Sequence, residues 1–222
     1  FKQNGRKDIN LSVEMIKNLI IAMAVATMAV CSLSADAKEK TKKQNIDIYD
    51  LSIDDNIAMP ELEKQAETIK KFQYNQAIAL QKNKQNVEMT RDGEVIIITI
   101  PAGQLFAPND TVLSDMGKKS IEPFLGYLKN EGLYKMLLVM HHDNTGSDRY
   151  ILNLTKARVN AIYDWISKNA SVEYVVPYAL GSIEPLVENN SVANRKFNRR
   201  LEIYLVPEVG MIKAAKKKNI TL

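Results

Sequence analysis

The apolar positions of the chain fall into blocks whose spacing switches between helical and extended periods. Pro60 can open a helix at its first turn, and over residues 61–82 Leu62, Ala66, Ile69, Phe72, Ala77 and Leu80 recur at near-helical spacing among Lys, Glu and Gln. The stripe is short, which suits a helix laying one face on the domain behind it better than a coiled-coil or partner helix. Residues 87–90 and 95–100 flank Arg91-Asp92-Gly93-Glu94. Asp-Gly between β-rich runs predicts a hairpin, because Gly takes positive φ without steric cost. Residues 95–100 are β-branched throughout, which suits a strand covered on much of both faces. Ser114 predicts the N-cap of a helix reaching about Asn130 and stopped by Gly132, with Ile121, Phe124, Leu125 and Leu128 inward. Pro123 should kink or shorten it. Residues 136–140 read as a central strand, residues 142–147 as a loop and residues 148–168 as a second helix. Strand signals return over 172–180 and 200–206, the latter alternating Leu201, Ile203 and Leu205 with polar or exposed neighbours. The order β-β-α-β-α-β-β predicts an α+β domain over residues 87–207, a mixed β-sheet with two main helices packed on it.

The front of the chain follows another logic. Met15-Ile16-Lys17-Asn18, an apolar run over 19–30 and Ala35-Asp36-Ala37 have the charged start, apolar centre and small-residue cleavage site of a signal peptide spanning 15–37. The apolar run falls short of the ~20 residues a membrane-spanning helix needs. Residues 1–14 precede Met15 without signal character and read as an over-extended start. Cys31, the single cysteine, offers a second route, lipidation to an outer-membrane lipoprotein. Val30 stands where a lipobox wants a small residue, so cleavage after Ala37 fits better. Either route predicts the periplasm or cell envelope. Residues 38–86 read as a polar linker carrying the 61–82 helix, suited to reaching an outer-membrane or envelope protein. Nothing ahead of the domain has the repeated ten-residue alternation of a β-barrel.

Composition changes this picture little. Of 222 residues, 45% are hydrophobic, enough for a packed core. The formal charge of +4 is concentrated at Lys213, Lys216, Lys217 and Lys218 and over residues 38–43. Residues 208–222 therefore read as a solvated basic tail. No basic helix or aromatic–basic platform accompanies these lysines, so no nucleic acid is expected as a partner.

The chemistry concentrates in His141-His142-Asp143-Asn144-Thr145-Gly146-Ser147-Asp148-Arg149-Tyr150, where a buried strand gives way to a helix. Ile151, Leu154, Ile162 and Trp165 form the apolar stripe of that helix, and Arg158 falls on it. A guanidinium on an apolar face keeps its charge and needs a partner. Asp143, just off the preceding strand, is the natural one. Such a pair can hold a zwitterion, the carboxylate taking an ammonium and the guanidinium a carboxylate. It can equally be a salt bridge tying loop to helix, and spacing alone leaves both open.

Asp143-Asn144-Thr145-Gly146-Ser147, Leu154-Thr155-Lys156-Ala157-Arg158 and Asn198-Arg199-Arg200-Leu201-Glu202 together resemble the successive motifs of the OmpA-like C-terminal domain, the OmpA/MotB/Pal peptidoglycan-binding family. The fifteen positions from Asp143 to Arg158 match that family's spacing, and Leu105-Phe106-Ala107-Pro108-Asn109, residues 181–185, Asn189 and Arg195 align in order. The resemblance covers residues 93–206, roughly half the chain. It implies non-covalent binding of peptidoglycan through the diamino acid of the stem peptide, typically diaminopimelate. Asp143 and Arg158 would clamp its head group, Asn109 and Arg199 would line the pocket, and Thr145 with nearby loop amides would add hydrogen bonds. The chain departs from the pattern at Ala107, Met140, His142, Ile151, Val159 and Asn194. Ile151 replaces an Asn that contacts ligand in the family.

No catalytic constellation, metal set or cofactor motif emerges, so neither an enzyme nor a cofactor is expected. His141 and His142, the only histidines, are adjacent on a strand end and point to opposite faces. His141 reads as a hydrogen-bonded loop anchor. The competing expectation is a degenerate OmpA-like scaffold that binds a protein partner through the 61–82 helix rather than the cell wall.

Overall fold

The computed structural model describes residues 53–57, 64–130 and 132–222. The expected signal peptide, Cys31 and most of residues 38–63 lie outside these. The elements are α1 (Ile53–Ile57), α2 (Ala66–Lys82), β1 (Asn86–Thr90), β2 (Val95–Pro101), α3 (Ala102–Leu105) and α4 (Asp115–Ile121), a 3-10 helix at Glu122–Leu128, then β3 (Tyr134–His141), α5 (Asp148–Ser167), β4 (Val175–Gly181), α6 (Val192–Asn198), β5 (Arg200–Pro207) and α7 (Val209–Lys216). The five strands form one mixed sheet in the order β1-β2-β5-β3-β4. The β1-β2, β2-β5 and β5-β3 pairs are antiparallel, and β3 pairs parallel with β4. A parallel pair needs a long crossover, and α5 supplies it.

Helices cover one sheet face. Ile96, Ile98, Ile100, Leu138, Met140, Leu201, Ile203 and Leu205 meet Ile69, Leu80, Phe124, Ile162 and Ile166 in the main core. Gln73 sits in this core fully buried, with its amide satisfied: it donates to the Glu94 and Leu205 carbonyls and accepts from the Tyr134 hydroxyl at 2.6 Å. Burying such a group is tolerable only when it is bonded this way. Pro123 acts as expected, since the α-helix capped by Ser114 ends at Ile121 and continues as the 3-10 turn.

Four readings need correction. α2 begins at Ala66, with Lys64 and Gln65 in a turn, and its buried face is spent on the domain's own core. Among its described residues, that helix keeps no free apolar stripe for a partner. Ile53 and Ile57 in the expected linker pack with Val95, Leu137, Val139, Tyr178 and Val206 on the other face of the sheet. For this reason β5 does not alternate between buried and exposed; Arg200, Glu202 and Val206 are buried on that second face. Residues 208–222 are no free tail, because α7 buries Met211, Ile212 and Ala215 and leaves its lysines outside.

Candidate functional site

The site lies at the carboxyl end of β3. The Asp143 side chain is fully buried, and its Oδ1 accepts the Thr145 amide N–H at 2.7 Å, closing a tight Asx turn. Gly146 follows at φ +122°, a conformation side-chain-bearing residues rarely adopt. Ser147 then caps α5 by accepting the Tyr150 N–H at 3.3 Å. The loop is thus fixed at both ends by backbone-directed bonds.

Arg199 supplies the partner of Asp143. Its Nη1 donates to Asp143 Oδ2 in a close ion pair. The β3–β5 register pairs His141 with Arg200, which sets Arg199 opposite the start of the loop. His142 also turns inward, with Nδ1 3.5 Å from Asp143 Oδ1. Burial raises the Asp143 carboxyl, but bonds from the Thr145 hydroxyl and amide and from Arg199, with the charge of His142, outweigh it and hold it below its ordinary value.

Arg158 does not pair with Asp143, so the expected Asp143–Arg158 salt bridge is absent. The Arg158 side chain is 4% exposed, and its Nε and Nη2 donate to the carbonyls of Asp110 at 2.8 Å and Ala107 at 3.2 Å. Its guanidinium carbon stands 5.0 Å from the centre of the Phe106 ring, within cation–π range. Among the described residues no carboxylate forms an ion pair with it. Burial lowers Arg158 from its ordinary value, Tyr150 and Asp110 oppose this, and the nearby Arg199 charge adds to it. The group still carries its proton at any ordinary pH. The loop that holds it is pinned by Gly117, where a Cβ would come within 2.8 Å of the Leu105 carbonyl.

Asn109 sits in that loop at φ +58° and accepts from the Tyr150 hydroxyl at 3.4 Å. Thr145 stays exposed while its amide faces Asp143. Ile151 is buried, and its Cγ2 would lie 3.4 Å from a Cβ placed on Gly181, so it fills the angle between α5 and the end of β4 instead of facing ligand.

The carbonyl collar around Arg158 and the second-face network were not foreseen. In that network Arg200 Nε donates to Glu202 Oε1 at 2.7 Å, the Tyr204 hydroxyl donates to Glu202 Oε2 at 2.8 Å, and Arg200 also bonds the carbonyls of Asn198 and Glu184. His141 belongs here: its Nε2 lies 3.3 Å from Glu202 Oε2, and neither ring nitrogen is aligned for a hydrogen bond, so it anchors no loop. The motif Asn198-Arg199-Arg200-Leu201-Glu202 carried the signal, since consecutive strand residues face opposite sides.

This sheet order, with the α5 crossover, is the OmpA-like fold. Among solved structures the chain is similar to a MotB-like protein from Desulfovibrio vulgaris (19% identity, 65% of this chain and 99% of that one, TM-score 0.56). It is also similar to a cell wall anchor from Pseudomonas aeruginosa (23% identity, 60% and 94%, TM-score 0.51) and to the periplasmic domain of Helicobacter pylori MotB (16% identity, 60% and 88%, TM-score 0.50). In sequence it is 24% identical over 122 residues to the Escherichia coli protein named "Probable lipoprotein YiaD", and the match spans 54% of this chain and 56% of that protein. No family model matches the chain.

Proposed function

We propose that the chain is a non-catalytic peptidoglycan-binding protein of the cell envelope, holding the diamino acid of the stem peptide at Arg158, Arg199, Asp143, Asn109 and Thr145. The observation that carries this reading is Arg158, a buried guanidinium that forms no ion pair with a carboxylate among the described residues and stands beside a second guanidinium and a buried carboxylate. A ligand carboxylate completes Arg158 and offsets the repulsion from Arg199. The Asp143 oxygens keep lone pairs beyond the bonds they accept within the chain, and a ligand ammonium takes them. The Asp–Arg clamp is thus read as two adjacent half-sites joined by the ligand rather than a preformed pair. The fold shared with a cell wall anchor supports the wall as target, and the names of the relatives support the periplasm or cell envelope as location. A partner-binding scaffold has less support, because α2 buries its stripe in the domain.

Co-sedimentation of the full chain with purified sacculi tests this. Wild type should pellet with the sacculi, and Arg158→Gln, confirmed folded by circular dichroism, should stay in the supernatant. Wild type remaining soluble would count against the reading.

A further inference from the structure

We propose that a groove adjoining the peptide site binds the glycan strand of the same polymer, a chain of N-acetylated amino sugars; this rests on the reading above. The groove encloses about 500 Å³ between the turn after α2, the end of β2 and α6. Its lining includes four carboxamides, those of Asn83, Gln85, Asn86 and Gln104, beside the hydroxyl residues Thr99 and Ser120. Among the described residues none of these carboxamide side chains makes a hydrogen bond. A carboxamide both donates and accepts, which matches hydroxyl and acetamido groups better than it matches an ion.

Two further features fit a sugar. Phe197 lines the groove with 63% of its surface exposed, giving a flat apolar face for the C–H side of a pyranose ring. The exposed charged groups of the lining are Lys84 and Lys196, with no acidic residue in the lining, which disfavours a cationic ligand. The turn that presents the carboxamides is held firmly: Lys84 takes φ +60° and donates its N–H to the Gln81 carbonyl at 2.9 Å.

Continuity with the peptide site argues for the same polymer. The Ala102 N–H donates to the Arg199 carbonyl at 2.9 Å, and Pro101 pairs in register with Arg200. Arg199 turns its side chain to Asp143, while the next residue, Arg200, lines the groove. The two sites therefore share a wall at the start of β5.

The test is calorimetric titration of the full chain with three probes: a diaminopimelate stem peptide, the same peptide on its disaccharide, and a tetramer of N-acetylglucosamine. Wild type should bind the disaccharide peptide about tenfold tighter than the free peptide. Phe197→Ser and, separately, Gln104→Ala should cut that gain to about twofold or less while free-peptide affinity holds. Equal affinity of wild type for both peptides, or a gain that survives both substitutions, overturns the groove. If neither peptide binds, the peptide site itself fails and the tetramer decides: binding abolished by Phe197→Ser supports the groove, and no binding overturns it.

Discussion

Two arginines are almost fully buried at the start of β5 and on α5, and they are treated in opposite ways. Arg200 is closed: Glu202 takes its Nε, two carbonyls take its other donors, and Tyr204 completes the carboxylate. Arg158 is open: two carbonyls and an aromatic face hold it in place, and among the described residues no carboxylate forms an ion pair with it. A buried ion pair with all its bonds made gives structure and little surplus energy. A buried charge fixed in position but unneutralised is preorganised for a ligand. The difference separates a closed structural network on β5 from the proposed recognition site at α5.

The comparison breaks most visibly at Glu202. Glu202→Ala strands the buried Arg200 guanidinium and should cost about 3–5 kcal/mol of stability, read as a lower midpoint in urea unfolding. A loss under ~1 kcal/mol would mean that the network is not closed. Acid should do part of the same work. Burial raises the Glu202 carboxyl, but His141 and Arg200 outweigh it and bring it from an ordinary 4.5 down to about 2. A depressed folded value gives stability that is complete above the unfolded value and is lost as pH falls from about 4.5 toward 2. The span is worth roughly 3 kcal/mol, and Glu202→Gln should flatten unfolding free energy against pH across that window.

Arg158 should answer differently. Arg158→Gln should weaken binding of the stem peptide about 30-fold, or ~2 kcal/mol, while costing only about 1 kcal/mol of stability. If stability fell as far as in Glu202→Ala, the two arginines would be equivalent and the distinction lost. The smallest effect is expected at Tyr150→Phe. Its hydroxyl makes one long, exposed bond to Asn109, so affinity should change by less than about threefold, under ~1 kcal/mol.

The main strands and helices were legible because apolar periodicity and turn chemistry agreed, as at Asp92-Gly93 and at Ser114. Short amphipathic pieces were not. Met211, Ile212 and Ala215 lie among lysines, and a Lys-rich end masks a stripe of three buried residues. Ile53 and Ile57 stand among aspartates and isoleucines without a long enough period to mark a helix. At the site the structure joins Asp143 to Arg199, and Arg158 to backbone carbonyls, instead of Asp143 to Arg158. Spacing along strand, loop and helix suggested Asp143 with Arg158. The actual partner, Arg199, stands just before β5, a strand whose register with β3 no local pattern encodes. Arg158 was expected to need a carboxylate because charge burial usually does, whereas carbonyl oxygens and the Phe106 ring suffice to place it.

The most direct test of the central claim compares two stem peptides that differ only in the diamino acid, one with diaminopimelate and one with lysine, which lacks the side-chain carboxylate. Titrated into wild type and Arg158→Gln by calorimetry, the pair isolates the contact attributed to Arg158. The account predicts that wild type prefers diaminopimelate by at least about tenfold and that Arg158→Gln erases the preference. Equal binding of both peptides by wild type, or a preference that survives Arg158→Gln, would contradict it.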